Sequence, residues 1–374
     1  MAKIALRERD YADVRVVGIP RGLLFYRYGA GWRAFFEALG CTVVVSPETD
    51  KAIVDAGTRM SVDECCLASK AYMGHVANLV GRCDAVFVPC YASADARAGF
   101  CTKFQSAPDL VASTFREQGV RVMSMLVDRA SNEKATRAAF TELALRMGAS
   151  AADAKRACKA AHTAQALFDK KRAAAQEATL RRIDERRKAA AGTGNDATGT
   201  PGGAASASFA SSPSASLSSA TSASSAAHVS SPDAPLAILL VAHPYLAHDR
   251  LMCGTVVDAL ERMGAIVVFA DETNHERAFK RSFDFSATLP WRINRELIGS
   301  ILMLQDRIDG IVLVSAFPCG PDSMTDDAVM RCIQGTPILN LMIDAQSGTA
   351  GVETRVESFV DILRFQQMGG YIHG

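Results

Sequence analysis

The chain has no Cys-x-x-Cys pair, although it holds ten cysteines, at 41, 65, 66, 83, 90, 101, 158, 253, 319 and 332. Without that spacing the compact zinc-ribbon and thioredoxin-type motifs are excluded. There is no Walker-type phosphate loop and no Gly-x-Gly-x-x-Gly turn, so ATP hydrolysis and dinucleotide binding by those devices are excluded too. Neither sign of charge is in excess: 41 basic residues stand against 40 acidic ones, a net +1, with no general pull toward nucleic acid or an anionic membrane. The first residues lack the apolar core of a signal peptide, and no apolar run approaches the roughly 20 residues of a membrane span. The expectation is a cytoplasmic protein with neither nucleic-acid nor membrane partners. In a reducing compartment a disulfide framework is not expected, and a metal or redox role for some of the ten cysteines gains weight. Most of the others serve as small core hydrophobes.

What is present is a chain of 374 residues, 49% hydrophobic and 22% charged, long enough for two domains. Its most suggestive stretch is Ser61-Val-Asp-Glu-Cys-Cys-Leu-Ala-Ser-Lys70. Ser61 and Glu64 have the spacing of a capping box, which predicts a helix from Val62 to about Val80. Cys65 and Cys66 then fall at the positive end of that helix, where thiolate is favoured over thiol.

Apolar runs at 14–20, 41–46, 85–90 and 120–126 read as strands, with helical patterns at 21–39 and 62–80 between them. Such alternation argues for a parallel sheet covered on both faces. Residues 132–191 are helical in pattern, and their basic end, 170–188, reads as a solvated face. Residues 192–235 are almost all Ser, Ala, Gly, Thr and Pro, the composition of a disordered linker. An α/β pattern restarts at 236 and repeats the first one. Pro20, Gly40 and Glu48 recur 224 residues later as Pro244, Gly264 and Glu272, and Asp84 recurs 225 later as Asp309. The expected architecture is therefore two similar flavodoxin- or Rossmann-like units, 1–131 and 236–374, facing each other across a cleft. The helical segment and the linker lie between them.

Ligands of open α/β sheets bind beyond the carboxyl ends of the strands. Cys66, Cys90, Cys101 and Cys319 all fall on that rim in this reading. If the units face rim to rim, thiols from both converge, as an iron–sulfur cluster or zinc requires. His243 and His248 follow the first strand of the second unit as candidate acid, base or ligand. Arg21 and Lys103 are candidates for holding an anionic group of a substrate. Asp322 and Ser323 follow Cys319, where they cap the next helix or meet a ligand, while Asp344 and Ser347 end a rim strand, close enough to touch a ligand.

Several phrases resemble one family. They are Gly-Ile-Pro-Arg-Gly-Leu-Leu-Phe-Tyr (18–26), Val-Val-Val-Ser-Pro-Glu-Thr (43–49), Asp-Glu-Cys-Cys-Leu (63–67), His-Pro-Tyr (243–245), Ser-Ala-Phe-Pro-Cys-Gly-Pro-Asp-Ser (315–323) and Ile-Asp-Ala-Gln-Ser-Gly (343–348). Together they are similar to acyl-CoA dehydratase activase-related proteins, akin to 2-hydroxyacyl-CoA dehydratase and benzoyl-CoA reductase subunits. The resemblance implies a 4Fe-4S cluster held by Cys66, Cys101 and Cys319, with one iron open to a small ligand. It also implies low-potential electron transfer to a small or acyl-CoA substrate, with an activator ATPase supplying electrons in trans. His243 and Ser347 would act on the substrate, and Arg21, Lys103, Asp322 and Ser323 would bind it. The family pattern has proline after the first two cysteines, where this chain has Leu67 and Thr102. The adjacent Cys65 leaves two candidates for the first ligand, and register favours Cys66. The rival readings are an accessory protein that carries a cluster without catalysis, and a metal-free, two-lobed module for a small ligand.

Overall fold

The computed structural model describes residues 10–95, 97–193, 235–346 and 348–368. In the first unit the apolar runs become parallel strands β1 (Val16–Ile19), β2 (Thr42–Val45) and β3 (Ala85–Phe87). Pro89 has no N–H to donate, and beyond it the chain continues as the short strand β4 (Cys90–Tyr91). The run at 120–126 is split in the same way, into β5 (Val122–Met123) beside β3 and β6 (Leu126–Val127) beside β4. Helices α1 (Phe25–Ala38), α2 (Lys51–Arg59), α3 (Leu67–Leu79) and α4 (Thr102–Thr114) cover the sheet. Helices α5 (Glu133–Arg146) and α6 (Ala151–Thr193) follow.

The second unit contains β7 (Ala237–Ala242), α7 (Pro244–Ala247), α8 (Arg250–Arg262), β8 (Ile266–Phe269), α9 (His275–Arg281) and α10 (Arg292–Leu304). It ends with β9 (Gly310–Ala316), α11 (Gly320–Cys332), β10 (Ile338–Ile343) and α12 (Thr349–Gln367). The sheets run β2-β1-β3-β5 and β8-β7-β9-β10, so each unit places its own strands in the order second, first, third, fourth. The repeat seen in sequence is thus a repeat of topology. It extends to single hydrogen bonds: Asp84 accepts from the backbone N–H of Val16 at 2.7 Å, and its counterpart Asp309 accepts from that of Ala237 at 2.7 Å. Gly40 and Gly264 end the equivalent helices α1 and α8 with φ of +82° and +74°, a left-handed turn that favours glycine.

The inter-unit helix α6 is a brace rather than a separate body. At 43 residues it is about 65 Å long. Its buried Ala154, Ala157 and Ala161 let it approach closely, and a Cβ on Gly31 of α1 would come within 3.2 Å of the Ala161 carbonyl. Farther along, Arg172 pairs with Asp271 (3.0 Å), Asp184 with Arg307 (2.6 Å) and Arg187 with Asp309 (2.7 Å), all on the second unit. The basic run read as a solvated face is therefore partly engaged in cross-unit ion pairs, which a charge count along one helix cannot reveal. The Ser/Ala/Gly-rich stretch lies, at 194–234, outside the described residues.

One buried cross-unit contact is ionic. Glu296 on α10 takes Arg27 of α1 and Arg292 of its own helix, with side-chain exposures of 4%, 10% and 4%. Burial alone would raise the Glu296 carboxyl, but Arg27, His275 and Arg292 outweigh it and hold it at about 2. Replacing one member strands the others in a dry site. We expect Glu296→Leu to lose about 3–5 kcal/mol of stability, read as a lower urea midpoint. An unchanged midpoint would show that the charges are solvated.

Candidate functional site

Three helices from the two units begin at one place, and each is N-capped by a cysteine: Cys66 for α3, Cys101 for α4 and Cys319 for α11. All three line a single pocket of about 30 Å³, together with Lys103, His243, Tyr245 and Asn294. The turns that carry them are tied across the units, since the Leu67 N–H donates to the Phe317 carbonyl at 2.9 Å. A second tie runs beside the pocket: Gly99 N–H donates to Pro290 O, and Arg292 N–H to Gly99 O, both at 2.8 Å.

The capping box does not form. Residues 61–66 are a turn, Ser61 Oγ is buried without a partner, and the helix starts at Leu67. The later start puts Cys66 at the first helical amides with its side chain toward the pocket wall, while Cys65 is 2% exposed and receives the Lys103 Nζ at 3.4 Å. For Cys66 the expected preference for thiolate is also reversed. Burial pushes the Cys66 thiol up, with Cys101 and Asp322 adding to the effect against the Ser69 amide and Lys103. Burial, then Asp322, raises Cys319 as well. Desolvation outweighs the helix terminus because the neighbouring acidic groups disfavour further negative charge.

His243 caps α7 and is 5% exposed. Its Nε2 lies 2.9 Å from Asp322 Oδ1, which also accepts from Asn294 Nδ2 at 2.8 Å. The imidazole stacks on Tyr245 at 4.9 Å between centroids, and its Nδ1 has no partner among the described residues. Asp322 is therefore an orienting group behind His243, beyond any capping role.

The remaining candidates divide. Lys103 is at the pocket. Arg21 is not: its backbone and side chain engage Ser46, and its guanidinium lies 3.6 Å from exposed Glu48. Ser323 faces outward and donates to the Cys319 carbonyl at 2.8 Å, one turn back along its helix. His248 bonds Asp271 and Arg172 elsewhere, and Cys90 donates to the Gln105 carbonyl at 3.1 Å, away from the pocket lining. Asp344 accepts from the Ala345 N–H at 2.6 Å. Ser347 lies outside the described residues. Tyr245, Asn294 and Trp291 were missed; His-Pro-Tyr carried the signal for the first, but nothing local marked the other two.

Behind the pocket a buried chain joins the units. Ser46 Oγ and His75 Nδ1 are 2.9 Å apart, His75 Nε2 and Thr49 Oγ1 are 3.1 Å apart, and Asp249 of the second unit accepts from Thr49 and Tyr26.

The molecule is thus a two-unit Rossmann-like α/β protein with thiols from both units at one pocket. A family model described as CoA enzyme activase uncharacterised domain matches residues 16–272, and the chain belongs to that family. The match runs from the start of β1 through both intervening helices and into the second unit as far as Glu272, just past β8. No curated protein matches the chain. Among the described residues no helix is long and apolar enough to cross a membrane.

Burial, then the charge of Arg21, depresses His75 from 6.5 to about 4. The unfolded chain therefore takes up a proton that the folded chain refuses between those two values, and stability falls as pH falls from 6.5 through 4. The loss should total about 3 kcal/mol. Urea titrations across that window should show it, and His75→Gln should flatten the profile there. An equal slope in the variant would assign the effect to other groups.

Proposed function

We propose that the protein is an iron–sulfur protein that passes low-potential electrons to a small or acyl-CoA substrate. The observation that carries this is the set of three thiols, each at the start of a different helix, lining one inter-unit pocket. The donor type and number fit a cluster with three cysteine ligands and an open iron. Among the described residues no group of three His, Cys, Asp or Glu that could hold a metal ion is found, which bears equally on a cluster and on zinc. The pocket, at about 30 Å³, has room for little more than water as it stands.

A bound cluster would supply electrons and a Lewis-acidic iron for a substrate oxygen. The chain's own residues do the rest. Helix-start N–H groups offset the negative charge gathered at the thiols. Asp322 fixes the His243 ring through Nε2, which leaves Nδ1 to hold or deliver a proton at the substrate. Lys103 presents its ammonium to an anionic group, and Tyr245 closes the wall against water. With no phosphate loop of its own, the chain takes electrons from an activator ATPase in trans.

A second reading, a metal-free two-lobed binding module, draws on a larger cleft of about 610 Å³ between α6 and the second unit, lined by Arg27, Phe168, Arg172, Glu272 and His275. One experiment separates the two readings. Protein purified without oxygen should hold about four irons and four acid-labile sulfides per chain. Cys66→Ala, Cys101→Ala and Cys319→Ala should each lose them, and Cys65→Ala should keep them. His243→Gln should keep the iron while slowing substrate turnover by about 10²-fold or more. Zinc in place of iron ends the redox mechanism, and protein that stays metal-free after reconstitution leaves the binding module.

A further inference from the structure

One residue wedges apart three internal spaces. Leu23 lines the thiol pocket, an apolar chamber of about 20 Å³, and a third space of about 10 Å³ next to His75. It is 7% exposed and has φ +49°, in the left-handed region where a bulky residue is rare. A tight turn holds it there: Gly22 N–H donates to Pro20 O and Phe25 N–H to Gly22 O, both at 3.0 Å. Strain of this kind persists only where the surroundings over-determine it, and it gathers at ligand sites.

The apolar chamber adjoins the thiol pocket. Leu23 and Phe104 line both spaces, while Trp32, Tyr72, Phe87 and Ala107 line the chamber and not the thiol pocket, and no charged residue is in the chamber's lining. It lies just beyond the carboxyl ends of β1 and β3, between the two strands where the first sheet reverses its order, the usual ligand crevice of a doubly wound sheet. An apolar cavity of this kind stays dry and favours apolar occupants.

We propose that this chamber receives the hydrocarbon end of the substrate and that Leu23 sets its length, restricting the protein to short aliphatic ends of about one or two carbons. This rests on the thiol pocket being where the substrate reacts. The polar end lies toward Lys103 and His243, and the apolar end passes Phe104. Glycine at position 23 removes the side chain and suits the left-handed backbone, so Leu23→Gly enlarges the chamber without straining the turn.

The test uses the full chain and two apolar probes, xenon and benzene, in saturation titrations followed by NMR. Wild-type protein should take up xenon and exclude benzene. Leu23→Gly should bind benzene at least tenfold more tightly than wild type, the scale of discrimination one or two methylenes provide. Ala107→Leu, which fills the chamber from α4, should lose xenon. Circular dichroism checks that each variant is folded, and Ala107→Val replaces Ala107→Leu if the larger side chain is not accommodated. Xenon uptake that survives a folded chamber-filling variant, or a folded Leu23→Gly protein that binds benzene no better than wild type, overturns the proposal. Both probes are read on protein with or without iron. A negative iron analysis therefore bears on the cluster and leaves the chamber result standing.

Discussion

The pairing of Arg27 with Glu296 is the contact on which the relation between the two units turns. Three charged side chains, Arg27, Arg292 and Glu296, are almost wholly withdrawn from water where α1 meets α10. Each is tolerable there only because the others are present. Such an arrangement adds little net stability over an apolar contact of the same shape, but it penalises misalignment. If the units slide, a buried charge loses its partner. That selectivity matters because the nearby pocket takes thiols from both units, and Arg292 is itself part of the pocket wall.

The duplicated scaffold was legible in the sequence because its constraints are local. A helix that must turn left-handed before the next strand needs Gly40, and the same requirement recurs at Gly264. A carboxylate that satisfies the first amides of the neighbouring strand needs Asp84, and again Asp309. Rim placement alone put Cys66, Cys90, Cys101 and Cys319 in play, and it was the family resemblance that singled out Cys66, Cys101 and Cys319. What could not be read were effects of the assembled interior. Ser61 and Glu64 have capping-box spacing, yet tertiary packing carries the chain past them and lets Cys66 start the helix. Thiol acidity was misjudged for a related reason: a helix terminus is visible in sequence, whereas desolvation and a facing Asp322 are not. Arg21 and Ser323 occupy suggestive positions in the chain, but their side chains point to other partners.

The fold is repeated while its chemistry is not. Cys41 and Cys83 of the first unit correspond, at the repeat offset, to Ala265 and Ile308, and neither lines the pocket. The first unit contributes two of the pocket thiols and the second contributes one, together with His243 and its Asp322 support. Duplication thus supplied two similar walls, and the walls then specialised: one mainly for sulfur, the other for a single sulfur and an oriented imidazole.

The long helix α6 gives that division of labour a mechanical side. It grips α1 of the first unit along its buried alanines and reaches β8, Asp271 and Asp309 of the second through Gln176, Arg172 and Arg187. A rod fastened along its length to both halves acts as a splint across a joint. The buried Arg27–Glu296 pair and the backbone bonds from Leu67 to Phe317 and from Gly99 to Pro290 hold the same joint at other points. The thiols therefore sit in a clamp whose jaws are set by contacts spread over the whole seam between the units.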